Sequence, residues 1–299
     1  MGYMPMCDGS FALLSDRAAV AITGPDALSF LQGIVTTDIG GVASRGAAFG
    51  ALLTPQGKII ADFILHPLDE GVLVDLPISV RADFMKRMAL YRLRARVTIT
   101  DLSAERRIAV WWSGTTPPVL PGVIRDPRLA ALGWRAALPD GIEPAAPGYA
   151  AAREDDWQAH RIALGVPESA RDFAFGEVFP HDVDMDDLAG LDFRKGCYVG
   201  QEIVARMQHR GTARRRAVQV EGDHSLPPPG TPIEAGGLAL GTLGSSAGTR
   251  GIALVRLDKV KRALEAGSAV TAMGVPLAIT LPAFATFGWP AAGEGEGAA

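Results

Sequence analysis

Apolar residues along this chain keep two rhythms, one helical and one strand-like, and the mixture changes near residue 214. The stretch "AAVAITGPDALSFLQGIVTTDI" starts as a strand and turns into a helix. Thr23 is placed to cap that helix, Pro25 suits its first turn, and Asp26 complements the positive end of its dipole. Leu28, Leu31 and Ile34 follow at helical spacing and predict an apolar stripe facing a core. "AAFGALLTPQGKIIADFILHPLDEGVLVDLP" reads as three strands, with "TPQGK" and "PLDEG" as the turns. "SVRADFMKRMALYRLRARVTITDLS" opens as an amphipathic helix and becomes strand-like after Arg94, and "RIAVWW" is a further strand. A Pro- and Gly-rich loop with one short strand follows. "REDDWQAHRIALGVPES" then predicts a helix ending near Gly165, before Pro167.

Beyond residue 214, short β-rich runs such as "RAVQVEG", "LALGTLGSSA" and "GIALVRLD" are separated by Gly and Pro at close spacing. That pattern predicts a small barrel-like domain over 214–288, with a frayed tail over 289–299. The preceding region, 1–213, is expected to be α+β.

Composition narrows the class. With 48% hydrophobic and 21% charged residues, the 299-residue chain can bury a sizeable core. A net charge of −4 offers no general attraction to nucleic acid or anionic membranes. The two cysteines, Cys7 and Cys197, form no disulfide framework and suit a reducing compartment. The N-terminal residues lack the pattern of a signal or transit peptide, and no run is long enough to span a bilayer. A cytoplasmic location is therefore the expectation.

Candidate chemistry concentrates at "DFRKGCYVGQEIVARMQHRG", residues 192–211. Gly196 and Gly200 frame Cys197 in what reads as a tight loop, just ahead of a helix with Glu202 in its first turn. Arg194, Lys195 and the helix start would favour the thiolate. A small buried cysteine in a turn is the plainer reading of the residues alone, since buried cysteines outnumber reactive ones. A Cys–His dyad with His181 or His209 lacks an orienting third group. One cysteine here supplies at most one ligand to a shared iron–sulfur cluster, because a self-contained site needs four. "HDVDMDD" lacks the glycine and terminal Glu of a calcium loop and reads as a solvated acidic loop, so no metal is expected. Arg214, Arg215 and Arg216 read as solvated or interdomain salt-bridging cations, and "GGLALGTLGSS" is no phosphate loop. Trp157 could wall a planar heterocycle or simply sit in the core.

The octapeptide Lys195, Gly196, Cys197, Tyr198, Val199, Gly200, Gln201, Glu202 resembles the signature of the YgfZ family of folate-binding proteins, relatives of the glycine-cleavage T-protein. "ITGPDALSFLQGIVTTDI", "GALLTPQGKIIADF" and "GTLGSS…GIALVR" extend the resemblance over nearly the whole chain. It implies a ring-like fold with two interleaved N-terminal α+β subdomains and a C-terminal β-barrel. It also implies a tetrahydrofolate site, with Trp157 near the pocket. The implied function is assembly or repair of iron–sulfur clusters in client enzymes, including tRNA-modifying ones, with iron–sulfur carriers or clients as partners and no direct nucleic-acid or membrane partner. Cys197 would be the key thiol and Lys195 its activator, while Tyr198, Gln201 and Glu202 hold the loop or meet the partner. The alternative is a folate-dependent aminomethyl or one-carbon transferase. Against it, the T-protein's acidic pair is reduced here to Asp62, and Lys58 stands where that pattern has glycine.

Overall fold

The computed structural model describes residues 8–210 and 213–290. The chain begins with β1 (Gly9–Leu14), β2 (Arg17–Thr23), α1 (Ala27–Gln32) and the single turn α2 (Val42–Arg45). Three antiparallel strands follow: β3 (Ala48–Leu53), β4 (Ile59–Leu68) and β5 (Gly71–Pro77). Next come α3 (Arg81–Arg92), β6 (Thr98–Asp101), β7 (Arg106–Trp112), β8 (Ile124–Arg125), β9 (Trp134–Pro139) and β10 (Tyr149–Ala151). Helices α4 (Glu154–Leu164) and α5 (Gln201–Arg210) flank a long irregular stretch. The last part holds β11 (Arg215–Gly222), β12 (Pro232–Ala235), β13 (Leu238–Ala247), β14 (Arg250–Arg256), α6 (Leu257–Glu265), β15 (Val270–Ala272) and β16 (Val275–Thr280).

Strand order gives the interleaving that the fold class implies. β1 enters a sheet of order β10-β1-β7-β9-β8, the chain then builds β3-β4-β5-β2-β6, and β7 to β10 return to the first sheet. Within the described residues the fold divides into two compact units. One runs to Trp157 and includes Leu188–Gln201; the other comprises Gln158–Asp187 and the chain from Glu202 onward.

In the first unit, alternation along β2 and β5 sends Val20, Ile22, Val72, Val74 and Leu76 to one face. They pack against Leu31 of α1 and against Phe84 and Met88 of α3, which share a helix face by their i, i+4 spacing. The opposite face of β5 carries Asp75, fully buried, which accepts hydrogen bonds from Arg17 Nε at 2.7 Å and from Arg135 of β9 in the other sheet. Burial alone would raise the pKa of Asp75, but Arg135 and Arg17 hold it well below the usual carboxylate range. Asp126, 3.7 Å from Arg135 and doubly hydrogen-bonded to Arg128, continues this buried network.

The second unit contains a closed barrel of order β11-β14-β13-β12-β15-β16, with β11 pairing β16 to complete it. Val218, Val220, Ile233, Leu243, Val255 and Leu277 fill its core. A family of short strands was expected here; α6 is an addition. Leu257, Val260 and Ala263 are buried on one face between charged residues, a helical period too short to stand out among the punctuated strands.

Two further expectations are corrected. Helix α1 is only six residues long: Ala27 and Leu31 face the core, Leu28 is 43% exposed, and Ile34 lies beyond the helix. The segment His181–Asp187 is not a solvated loop. His181, Asp182 and Asp184 are buried, Asp186 grips Arg216 through both oxygens, and Asp187 accepts from Thr286. Arg216 is accordingly a buried cation stacked 4.2 Å from the Phe287 ring, not a solvated one. Of the expected tail over 289–299, the part from residue 291 lies outside the described residues.

Candidate functional site

The loop bearing Cys197 is anchored from both ends. On its N-terminal side, Thr36 donates from Oγ1 to the Gly190 carbonyl at 2.7 Å, and the Asp192 N–H donates to Thr36 O at 3.0 Å. Asp192 then turns the chain by accepting from the N–H groups of Arg194 and Lys195. Lys195 is only 9% exposed and donates from Nζ to the carbonyls of Val35 at 2.6 Å and Thr37 at 2.8 Å. Its ammonium also lies 5.3 Å from the centre of the Tyr198 ring. Burial pulls the Lys195 pKa down to about 8, partly opposed by Asp38 and Asp192.

On the C-terminal side, Gly200 adopts φ +83°, and a Cβ there would meet the Thr54 carbonyl oxygen at 2.6 Å and Gly57 Cα at 3.1 Å. Only glycine allows the loop to press this closely on the β3–β4 turn. Gln201 accepts from the Tyr198 N–H at 3.3 Å, closing the start of α5. Between these anchors Cys197 is a free, exposed thiol. Gly196 beside it has no positive φ, and a Cβ added there would meet nothing within 4 Å. The expected glycine frame is therefore needed on one side of the thiol, at Gly200.

The remaining nominated residues have distinct places. Tyr198 is buried, burial pushes its pKa up to about 12, and its hydroxyl has no hydrogen-bond partner among the described residues. Val199 is half-buried, while Glu202 faces solvent and pairs with Arg206 at 2.7 Å. Lys195 is a clamp on Val35 and Thr37 in this geometry, with its ammonium committed to backbone carbonyls. Asp62 sits on β4 opposite Ala51 and is 8% exposed. Trp157, in the first turn of α4, has no exposed surface and meets Trp112 edge-on at 5.6 Å. Cys7 lies outside the described residues. His181 is buried, with Nε2 2.9 Å from Gln208 Oε1, and burial lowers its pKa.

A cavity of about 660 Å³ opens beside the loop, lined among others by Arg45, Phe49, Asp192, Phe193 and Arg194. Phe193 and Arg194 directly precede the octapeptide, but Arg45 and Phe49 come from a distant segment that nothing in the pattern linked to it. Among the described residues no three His, Cys, Asp or Glu side chains cluster to hold a metal ion.

A family model described as the CAF17 C-terminal beta-barrel domain matches residues 214–287, the barrel of the second unit. The iron-sulfur cluster assembly factor IBA57, mitochondrial, of Homo sapiens is 31% identical, in an alignment covering 88% of this chain and 83% of the human protein. The chain belongs to the IBA57 family of iron–sulfur cluster assembly factors. The mouse IBA57 is also 31% identical, over 83% of this chain and 78% of its own. Among solved structures, the glycine cleavage system aminomethyltransferase T from Bartonella henselae matches with a TM-score of 0.72 over 94% of this chain and 87% of that one. At 16% identity this is a likeness of fold. The IBA57 relatives overturn the cytoplasmic expectation, because they are named mitochondrial and so point to the mitochondrion. Unpaired cysteines report a reducing environment, and that alone does not separate the cytosol from the mitochondrial interior.

Proposed function

We propose that this IBA57-family chain supports iron–sulfur cluster assembly through the thiol of Cys197, and that the cavity beside the loop takes tetrahydrofolate. The observation that carries the first part is the exposed, free thiol on a loop fixed by Lys195 and Gly200. A thiolate is a soft ligand suited to iron, and a single one leaves the cluster's other positions to a carrier or client protein. The cluster is thus cargo held between two proteins.

The second part rests on the donor set. A folate needs flat apolar walls, a polar acceptor for the pterin edge and cations for its glutamate carboxylates. Phe49 and Phe193 supply walls, Asp192 an acceptor, and Arg45 and Arg194 the cations, in a cavity of suitable size. The fully buried Trp157 offers no face to a ligand and would act only by supporting the fold. Bound there, tetrahydrofolate would supply a reduced heterocycle able to carry one-carbon units. The likeness of the octapeptide to the YgfZ signature supports both the folate and tRNA-modifying enzymes among the clients.

In cells lacking the native family member, Cys197→Ala should abolish recovery of a radical tRNA-modifying methylthiotransferase, while leaving the protein's thermal midpoint unchanged. Full recovery of that enzyme removes the thiol role. Tetrahydrofolate should bind the wild-type protein saturably by calorimetry and the Phe193→Ala, Arg194→Glu variant about tenfold more weakly. Absence of saturable heat removes the folate role and leaves the thiol role standing.

A further inference from the structure

The end of α3 presents a surface that the cluster-handling loop does not use. Residues 81–96, "RADFMKRMALYRLRAR", hold six cations and one acid. This run carries +5 within a chain of net −4, so the remainder carries −9. Three of the cations are paired: Arg81 with Asp101, Arg87 with Asp83, and Arg96 with Asp26. Arg92 donates to the Val97 carbonyl, and among the described residues Lys86 and Arg94 pair with no acid. Within this basic stretch Leu90 is 65% exposed and Leu93 88% exposed. Leu90 lies in the last turn of α3 and Leu93 directly follows its end, with Lys86 one turn before Leu90 and Arg94 immediately after Leu93. Phe84 and Met88, with Met85 and Tyr91 partly buried beside them, anchor the helix to its core, and neither Leu90 nor Leu93 belongs to that cluster. Leu93 even takes φ +46°, a backbone region that branched side chains avoid.

We propose that this end of α3 docks on the surface of an anionic lipid bilayer, the leucine pair entering the interface and the cations meeting headgroup phosphates and carboxylates. Charge complementarity selects an anionic surface. Two protruding leucines among flexible cations suit a headgroup layer, whereas a protein partner would require a preformed pocket and matched hydrogen bonds. The formal charge of the whole chain conceals the patch. This proposal stands apart from the role of Cys197.

The full chain is tested by co-sedimentation with phosphatidylcholine vesicles and with vesicles in which a third of the lipid is phosphatidylserine. Wild type should partition about tenfold more strongly to the anionic vesicles, and less as salt is raised. The pair Lys86→Glu, Arg94→Glu and the pair Leu90→Ser, Leu93→Ser should each remove most of that excess, with unchanged circular dichroism. No preference for anionic vesicles overturns the proposal. So does binding that the charge reversals weaken and the leucine changes leave intact, since that marks a site for a soluble polyanion or an acidic protein.

Discussion

Lys195 is held by its ammonium, which donates to two backbone carbonyls from a distant part of the chain. Beside a cysteine it reads as a cation poised to stabilise a thiolate. In the fold its Nζ donates to the carbonyls of Val35 and Thr37, and backbone carbonyls leave no mark in a sequence pattern. Its titration follows from this burial. An unfolded lysine holds its proton up to about pH 10.5, whereas folded Lys195 releases it near 8. Between those values the unfolded chain binds more protons, so stability should rise with pH relative to a Lys195→Met variant. Below about pH 8 the difference between the two proteins should be flat. Urea unfolding at a series of pH values measures this, and a difference that falls across the window would refute the lowering of the Lys195 pKa by burial. Trp157 is the converse case: its helix position was plain, but whether its ring faced a ligand or the core depended on Trp112, from a separate strand.

At the scale of elements, the hairpin of β3, β4 and β5 was readable because turn residues separate runs of strand formers. The loop before α5 was readable only in part. Its two glycines look equivalent in sequence, yet only Gly200 has a positive φ and a backbone neighbour at clashing distance. Gly200→Ala should therefore cost about 2 kcal/mol or more, and Gly196→Ala less than about 0.5 kcal/mol, in thermal or urea unfolding. Equal effects at the two sites would refute the account of how the loop is held. Helix α6 went unread because its single buried stripe is three residues long, and α1 was overextended because Gly33 ends it before Ile34.

For the molecule as a whole, the fold class was readable because strands and helices mix up to residue 214 and the change of grammar there marks the barrel. The octapeptide pointed to YgfZ, whereas the relatives are IBA57 proteins. The network of buried charges was not readable, since Arg17, Asp75 and Arg135 come from separate strands of two sheets and Asp126 from the segment after β8. Removing Asp75 leaves Arg17 and Arg135 buried without their shared counter-charge. Asp75→Asn should thus destabilise the protein by about 3 to 5 kcal/mol, measured by urea unfolding. A loss below about 1 kcal/mol would mean that the network is replaceable.

The clamp on the cysteine loop also fixes a time order. Lys195 reaches carbonyls 160 and 158 residues earlier in the chain. A ribosome makes Val35 long before Lys195, and the strands between them must first bring the two together. The clamp can therefore form only once Lys195 has been synthesised, when all ten strands of the first unit have already been made. A nascent chain stalled before Lys195 has those strands but neither the clamp nor Cys197, so the loop's geometry is absent from it.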